Sequence, residues 1–204
     1  MQIKAITGGI GSGKTAAARY LKKLGAYIID ADATAHELSA PHGAIWEKYV
    51  EHFGQEILLP DGTMDRKKIA DIIYADEKER QWVNNVTHPL IKQAMENELA
   101  KIKENATTDT PQAVFFDIPL LFETGWDKYF SSVWVVYVTP EIQLERLTTR
   151  RGMAKEEAQR IIKTQMPAEE KIAKADVVIN NCGTRGQTRR QIREAWAAIT
   201  GTKP

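Results

Sequence analysis

The chain has 204 residues, and its 28 Lys and Arg nearly balance its 27 Asp and Glu, leaving a formal charge of +1. That length suits one α/β domain with an insertion or two, and the charge balance argues against a nucleic-acid partner, which needs a basic excess or stripe. Cys182 is the only cysteine, which excludes an internal disulfide and a zinc site, and no run of about 18 or more apolar residues suggests a membrane span.

A β-rich run over 3–7 leads into Gly8-Gly9-Ile10-Gly11-Ser12-Gly13-Lys14-Thr15. A helix is expected over 13–24, with Ala17, Tyr20, Leu21 and Leu24 as its apolar stripe and Gly25 as its left-handed stop. A second strand over 27–30 ends at Asp30, two residues before Asp32. The stretch 32–105 has no strand pattern and reads as helices over 44–53, 65–74, 76–86 and 89–104, with a turn at Asp61-Gly62. A polar linker over 106–111 leads to a third strand over 114–117, and a fourth spans 133–139. Thr139-Pro140-Glu141 starts a helix, with Thr as cap and Pro at the first helical position. A charged excursion over 146–173 precedes a fifth strand over 177–180. The last helix begins near Thr188 and turns Ile192, Ala195, Trp196 and Ile199 inward.

The strands are apolar on both faces rather than alternating, as in a sheet covered by helices on both sides. The segment Gly8–Thr15 matches G-x-x-x-x-G-K-[ST] and stands between a strand and a helix, where phosphate binding requires it. Glycines let backbone N–H groups converge on an anion, and the helix N-terminus adds a favourable dipole. Lys14 reaches the β- and γ-oxygens, and the Thr15 hydroxyl is placed to ligate Mg²⁺. The fold class is therefore α/β, a five-stranded doubly wound parallel sheet of P-loop kinase type. A single domain is expected, with its core over about 1–31 and 111–204, a helical acceptor-binding insertion over about 32–110 and a small lid over about 141–173.

Asp30, Asp32 and Asp117 fall at the C-terminal ends of strands, where ligands bind in such sheets. A carboxylate near the γ-phosphate accepts the proton of an attacking hydroxyl or holds a metal-bound water. The competing assignment is a helix cap, for Asp32 on a helix starting near Ala33 and equally for Asp30 and Asp117. Arg146, Arg150, Arg151, Arg160, Lys163 and Lys171 make the second excursion cationic, which suits either a lid over transferring phosphate or a solvated face paired with Glu156, Glu157 and Glu169. No N-K-x-D segment is present to read guanine, and helical insertions suit a kinase that closes over two substrates and excludes water.

The run Thr7–Thr15, followed by Ile29-Asp30-Ala31-Asp32, resembles the opening of dephospho-coenzyme A kinases. The likeness continues in order through Met64-Asp65-Arg66, His88-Pro89, Asp117-Ile118-Pro119-Leu120-Leu121-Phe122-Glu123, Gln165, Lys171, Ala175-Asp176 and Asn181-Cys182-Gly183. The resemblance implies phosphorylation of the ribose 3′-hydroxyl of dephospho-coenzyme A by ATP and Mg²⁺. It implies that Gly8, Gly9, Gly11, Ser12, Gly13, Lys14, Thr15 and Ala16 hold ATP, with Thr15 on the metal and Asn181 and Gly183 at the adenine. It makes Asp32 the general base, puts Arg146 and Arg150 in the lid over ATP, and bounds the acceptor by Asp32, His88, Pro89, Leu120, Leu121, Phe122 and Glu123, in a cleft between insertion and sheet. Leu120, Leu121 and Phe122 have a plain core reading as well.

Three positions depart from the family pattern: Ala16 replaces a common hydroxyl residue, Arg151 a frequent acid, and Asn180 a frequent Asp. The alternatives are a nucleoside or nucleotide kinase and a non-catalytic ATP-binding regulator. The opening segment lacks a secretory leader's basic, apolar and cleavage regions, so a cytoplasmic protein is expected, without membrane attachment or an obligate protein partner.

Overall fold

The structure is a computed structural model that describes residues 1–105 and 110–202. Its apolar runs form β1 (Gln2–Thr7), β2 (Tyr27–Asp30), β3 (Ala113–Asp117), β4 (Val133–Tyr137) and β5 (Val177–Asn180). The five strands make one sheet in the order β2-β3-β1-β4-β5. β1 runs parallel to β3 and β4, and β4 runs parallel to β5. Parallel neighbours need long crossovers; α1 (Lys14–Lys23) lies between β1 and β2, α6 (Pro140–Arg151), α7 (Lys155–Lys163) and α8 (Ala168–Ala173) lie between β4 and β5, and α9 (Arg185–Thr200) follows β5. All five residues of β3 are buried, as the two-sided apolar pattern requires. Ile6, Phe115, Trp134, Val136 and Ile179 from the sheet pack with Leu21 of α1 and Ile192 and Trp196 of α9. β1 therefore lies at the centre, and the segment leaving it emerges between the ends of β3 and β4, where open α/β sheets bind ligands.

The chain divides into two compact units, one from Met1–Ile29 and Thr107–Pro204, the other from Asp30–Ala106. The second unit holds α2 (Ala31–Leu38), α3 (Ala44–Phe53), α4 (Arg66–Ala75) and α5 (Glu77–Glu104). Its core includes Tyr49, whose ring lies 5.8 Å from those of both Phe53 and Trp82. An antiparallel bridge between Leu58 and Met64 closes the turn at Asp61-Gly62. Asp65 and Asp76 cap α4 and α5 through their carboxylates.

Where two helices are expected over 76–86 and 89–104, the structure has one, α5, of 28 residues with Pro89 inside it. Proline removes one backbone donor and crowds the preceding turn. Val83 before it and Ile91 and Met95 after it are all buried, so packing on either side carries the helix through the defect. β4 stops at Tyr137 because Thr139 caps α6. α9 starts at Arg185 rather than near Thr188, because Thr184 and Gln187 form a reciprocal capping box. The linker expected over 106–111 lies, for 106–109, outside the described residues. No helix among the described residues is long and apolar enough to cross a membrane.

Asp30, not Asp32, caps α2, since its carboxylate accepts from the N–H groups of Asp32 at 2.9 Å and Ala33 at 3.1 Å. Asp32 sits two positions further in, exposed, in the first turn. Asp30→Ala is expected to lower stability by about 1 kcal/mol while Asp32→Ala leaves it nearly unchanged. Equal losses in urea denaturation would contradict that division of labour.

Candidate functional site

The segment Gly8–Gly13 joins β1 to α1 and starts the helix without ordinary end protection. Gly13 offers no side-chain cap, and the first turn of α1 contains no acid. Leading N–H groups of a helix have no intrahelical acceptor, and with the helix dipole they favour an anion. Gly13 has φ of +94°, which an L side chain rarely adopts, and a Cβ there would collide with Asn181 Nδ2. The Ser12 hydroxyl is buried and has no hydrogen-bond partner among the described residues.

When such a loop turns its amides inward, its carbonyls face outward and require donors of their own. Three side chains provide them. Arg146 on α6 donates from Nη1 to Gly11 O at 3.3 Å and Ser12 O at 3.2 Å, and from Nη2 to Asn181 O at 2.7 Å. Asn181, just past β5, donates from Nδ2 to Ser12 O at 2.7 Å, while its Oδ1 accepts from the Thr188 hydroxyl at 2.8 Å. Gln143, one turn before Leu147 on the buried side of α6, donates to Ile10 O at 2.6 Å. Burial, and then the Arg150 cation, pull the Arg146 guanidinium down from its ordinary value, though an arginine remains a cation throughout the working range.

Lys14, the first residue of α1, pairs with the carboxylate of Asp117 at the end of β3. Asp117 is only 2% exposed, so the loop lysine is tied to the sheet through a partner largely shielded from solvent. Thr7 Oγ1 donates to Pro119 O at 3.1 Å and Ile118 N–H to Ile6 O at 3.1 Å, which fix the segment after β3 beside β1. Further on, Glu123 Oε1 accepts from Met166 N–H at 2.9 Å. The ammonium of buried Lys171 lies 2.7 Å from the same oxygen, an ion pair directed away from good hydrogen-bond alignment.

These contacts place the expected site residues. Arg146 sits on α6, which packs through Leu147, and its guanidinium supports the loop's outward carbonyls. Asn181 has each end of its side chain bonded to protein, so it helps to hold the loop. Leu121 and Phe122 are buried at 0% and 7% exposure, and only Leu120, at 42%, is available as an apolar wall. Glu123 is occupied with the α7–α8 segment. Arg150 is exposed on α6. Gly183 lies against Gln187, and a Cβ there would strike the Gln187 side chain, which already accepts from Thr184 N–H.

In the other unit, Asp32 begins α2, and His36 follows one turn later on the same face. His36 Nδ1 accepts from Arg66 at 3.0 Å, a contact that requires the unprotonated nitrogen. His88 is half-buried within α5, where burial pushes its pKa below the ordinary value, and Pro89 beside it is exposed. Gln143, Thr188 and the His36–Arg66 contact were not legible as site features. Only the i, i+4 spacing of Gln143 from Leu147 hinted that a polar side chain points inward.

Comparison with known proteins gives one consistent family. The sequence model for dephospho-CoA kinase matches residues 2–186. A dephospho-CoA kinase of Geobacter sulfurreducens is 42% identical over 197 residues, covering 97% of this chain and 98% of that protein. One of Shouchella clausii is 40% identical, covering 94% and 95%. Among solved structures, a Thermus thermophilus protein superposes with a TM-score of 0.81 at 30% identity, covering 98% of each chain. The dephospho-CoA kinase from Campylobacter jejuni gives 0.71 at 28% identity, again over 98% of each.

Arg146→Lys retains the charge but cannot span three carbonyls with a planar fork. It is expected to weaken ATP binding about tenfold, the loss of one to two charge-assisted bonds, measured by calorimetric titration. Unchanged affinity would show that the loop holds its shape without the fork.

Proposed function

This chain belongs to the dephospho-CoA kinase family, and from that premise we propose how its residues divide the work of the reaction. The enzyme is an ATP-dependent kinase that phosphorylates the ribose 3′-hydroxyl of dephospho-coenzyme A, the last step of coenzyme A biosynthesis. The observation carrying this function is the family match over nearly the whole chain, together with a loop whose Ile10, Gly11 and Ser12 carbonyls are held by side-chain donors.

Gly8, Gly9, Gly11, Ser12, Gly13, Lys14, Thr15 and Ala16 hold the β- and γ-phosphates of ATP, with Lys14 as their cationic partner. Asp32 accepts the proton of the 3′-hydroxyl as its oxygen forms a bond to the γ-phosphorus. The bond from that phosphorus to the bridging oxygen breaks, and the pair leaves with ADP. Its exposure and its release from capping duty support this role for Asp32. Arg146 and Arg150 act as charges near the transferring group, Arg146 chiefly by keeping the loop in shape. Gly183 lies on the adenine side, and His88, Pro89 and Leu120 contribute to the acceptor site.

No cluster of three or more acidic, His or Cys side chains suited to a metal occurs among the described residues. That fits Mg²⁺, which is commonly held by one or two protein oxygens and the substrate's own phosphates. The exposed hydroxyl of Thr15 at the loop's end is the oxygen suited to hold it. When bound there, Mg²⁺ would supply neutralisation of the phosphate charge. Use of ATP and production of coenzyme A support a cytoplasmic setting.

Asp32→Asn is expected to leave ATP affinity unchanged and to reduce kcat at least about a hundredfold, the usual contribution of a general base. Single-turnover kinetics and ATP titration on one preparation check both halves. A fully active variant would remove Asp32 as the base.

A further inference from the structure

Ile10, at the tip of the phosphate loop, is gripped from two sides by side-chain amides. Its N–H donates to Gln165 Oε1 at 2.9 Å, and its C=O accepts from Gln143 Nε2 at 2.6 Å. Gly9 permits this approach: a Cβ there would stand 2.9 Å from Gln143 Nε2 and 3.3 Å from Gln165 Oε1. A carboxamide has one accepting and one donating end, so the backbone partners dictate which end each glutamine presents.

The two glutamines come from different places. Gln143 belongs to α6 and is 6% exposed. Gln165 lies in the short connection between α7 and α8. Its neighbour Met166 and the nearby Lys171 both hold Glu123, at 2.9 and 2.7 Å, so this connection is pinned to the segment after β3. A cavity of about 340 Å³, lined in part by Gly9, Ser12, Gln143, Gln165 and Lys171, runs alongside.

We propose that Gln143 and Gln165 are paired positioning residues whose opposed hydrogen bonds set the orientation of the Ile10 backbone, and that Gln165 makes the loop's phosphate-binding shape depend on the placement of the α7–α8 segment. A nest of backbone amides binds an anion only while its successive peptides keep their directions. Rotation of the Ile10 peptide would turn a neighbouring amide away from the phosphates. The inference rests on the reading of Gly8–Thr15 as the ATP loop.

Two isosteric substitutions test it, because they reverse one bond and preserve the other. Gln165→Glu keeps an oxygen against Ile10 N–H, whereas Gln143→Glu sets an oxygen against Ile10 O. Each adds one negative charge beside the same residue, so any general repulsion of ATP is common to both. Gln143→Glu is expected to weaken ATP binding at least about tenfold more than Gln165→Glu, with the difference in KM for ATP rather than kcat. Amide hydrogen exchange at Ile10 should stay protected in Gln165→Glu and become fast in Gln165→Leu, a second readout should Gln143→Glu fail to fold. Equal ATP affinities in the two Glu variants, or unchanged Ile10 exchange in Gln165→Leu, would overturn the clamp. Lys14→Ala separates the two levels. If it abolishes ATP binding while the Glu variants behave alike, the clamp alone fails; if it leaves ATP binding intact, the loop reading fails and the clamp with it.

Discussion

A backbone loop that points its N–H groups at one spot must point most of its carbonyls elsewhere, and few of those carbonyls find a donor within the loop. In this protein the burden falls on side chains from distant parts of the chain. Arg146 and Asn181 hold Gly11 and Ser12, and Gln143 holds Ile10. Each donor is itself placed by something else: α6 by burial of Leu147, Asn181 by Thr188 and by its own N–H to Tyr137 O at 2.8 Å. Gly13 is needed because only a residue without a Cβ permits both its backbone angle and the approach of Asn181. The loop's shape thus depends on the whole sheet-based unit rather than on the eight residues that name it.

The same economy governs charge. Lys14 is held by Asp117 at the end of a fully buried strand, so a cation is fixed beside the amides without a flexible search. A buried charge with one partner removed is strongly unfavourable, which ties Lys14 and Asp117 to each other. Glu123 and Lys171 form a second such pair, linking the segment after β3 to α8. Both pairs belong to the Asp117–Glu123 run, so one short stretch of sequence anchors the loop lysine at one end and the α7–α8 connection at the other.

Much of this was legible because it is local. The phosphate loop, the apolar strands and the Thr139 cap all follow from short patterns in which neighbouring residues decide the outcome. The sheet order was not, since it depends on which strands meet across long crossovers. α5 was divided at Pro89 because proline's local penalty is visible and the packing that outweighs it is not. Arg146 and Asn181 were singled out as candidate nucleotide-site residues, yet their partners in the loop lie more than a hundred residues away in sequence. Leu121 and Phe122 read equally well as wall or core, and burial decides for the core. Asp30 and Asp32 are both candidate caps by sequence; only the hydrogen bonds assign the task to Asp30.

The central claim is that this assembly delivers phosphate to an alcohol instead of to water. Product stoichiometry tests it most directly: the protein is incubated with ATP, Mg²⁺ and dephospho-coenzyme A, ADP is counted, and the new phosphate is located by phosphorus NMR. One ADP for each ribose 3′-phosphate formed, with negligible ADP when the acceptor is omitted, is the predicted result. ADP release at the same rate without acceptor, or a phosphate on any other position, would contradict it.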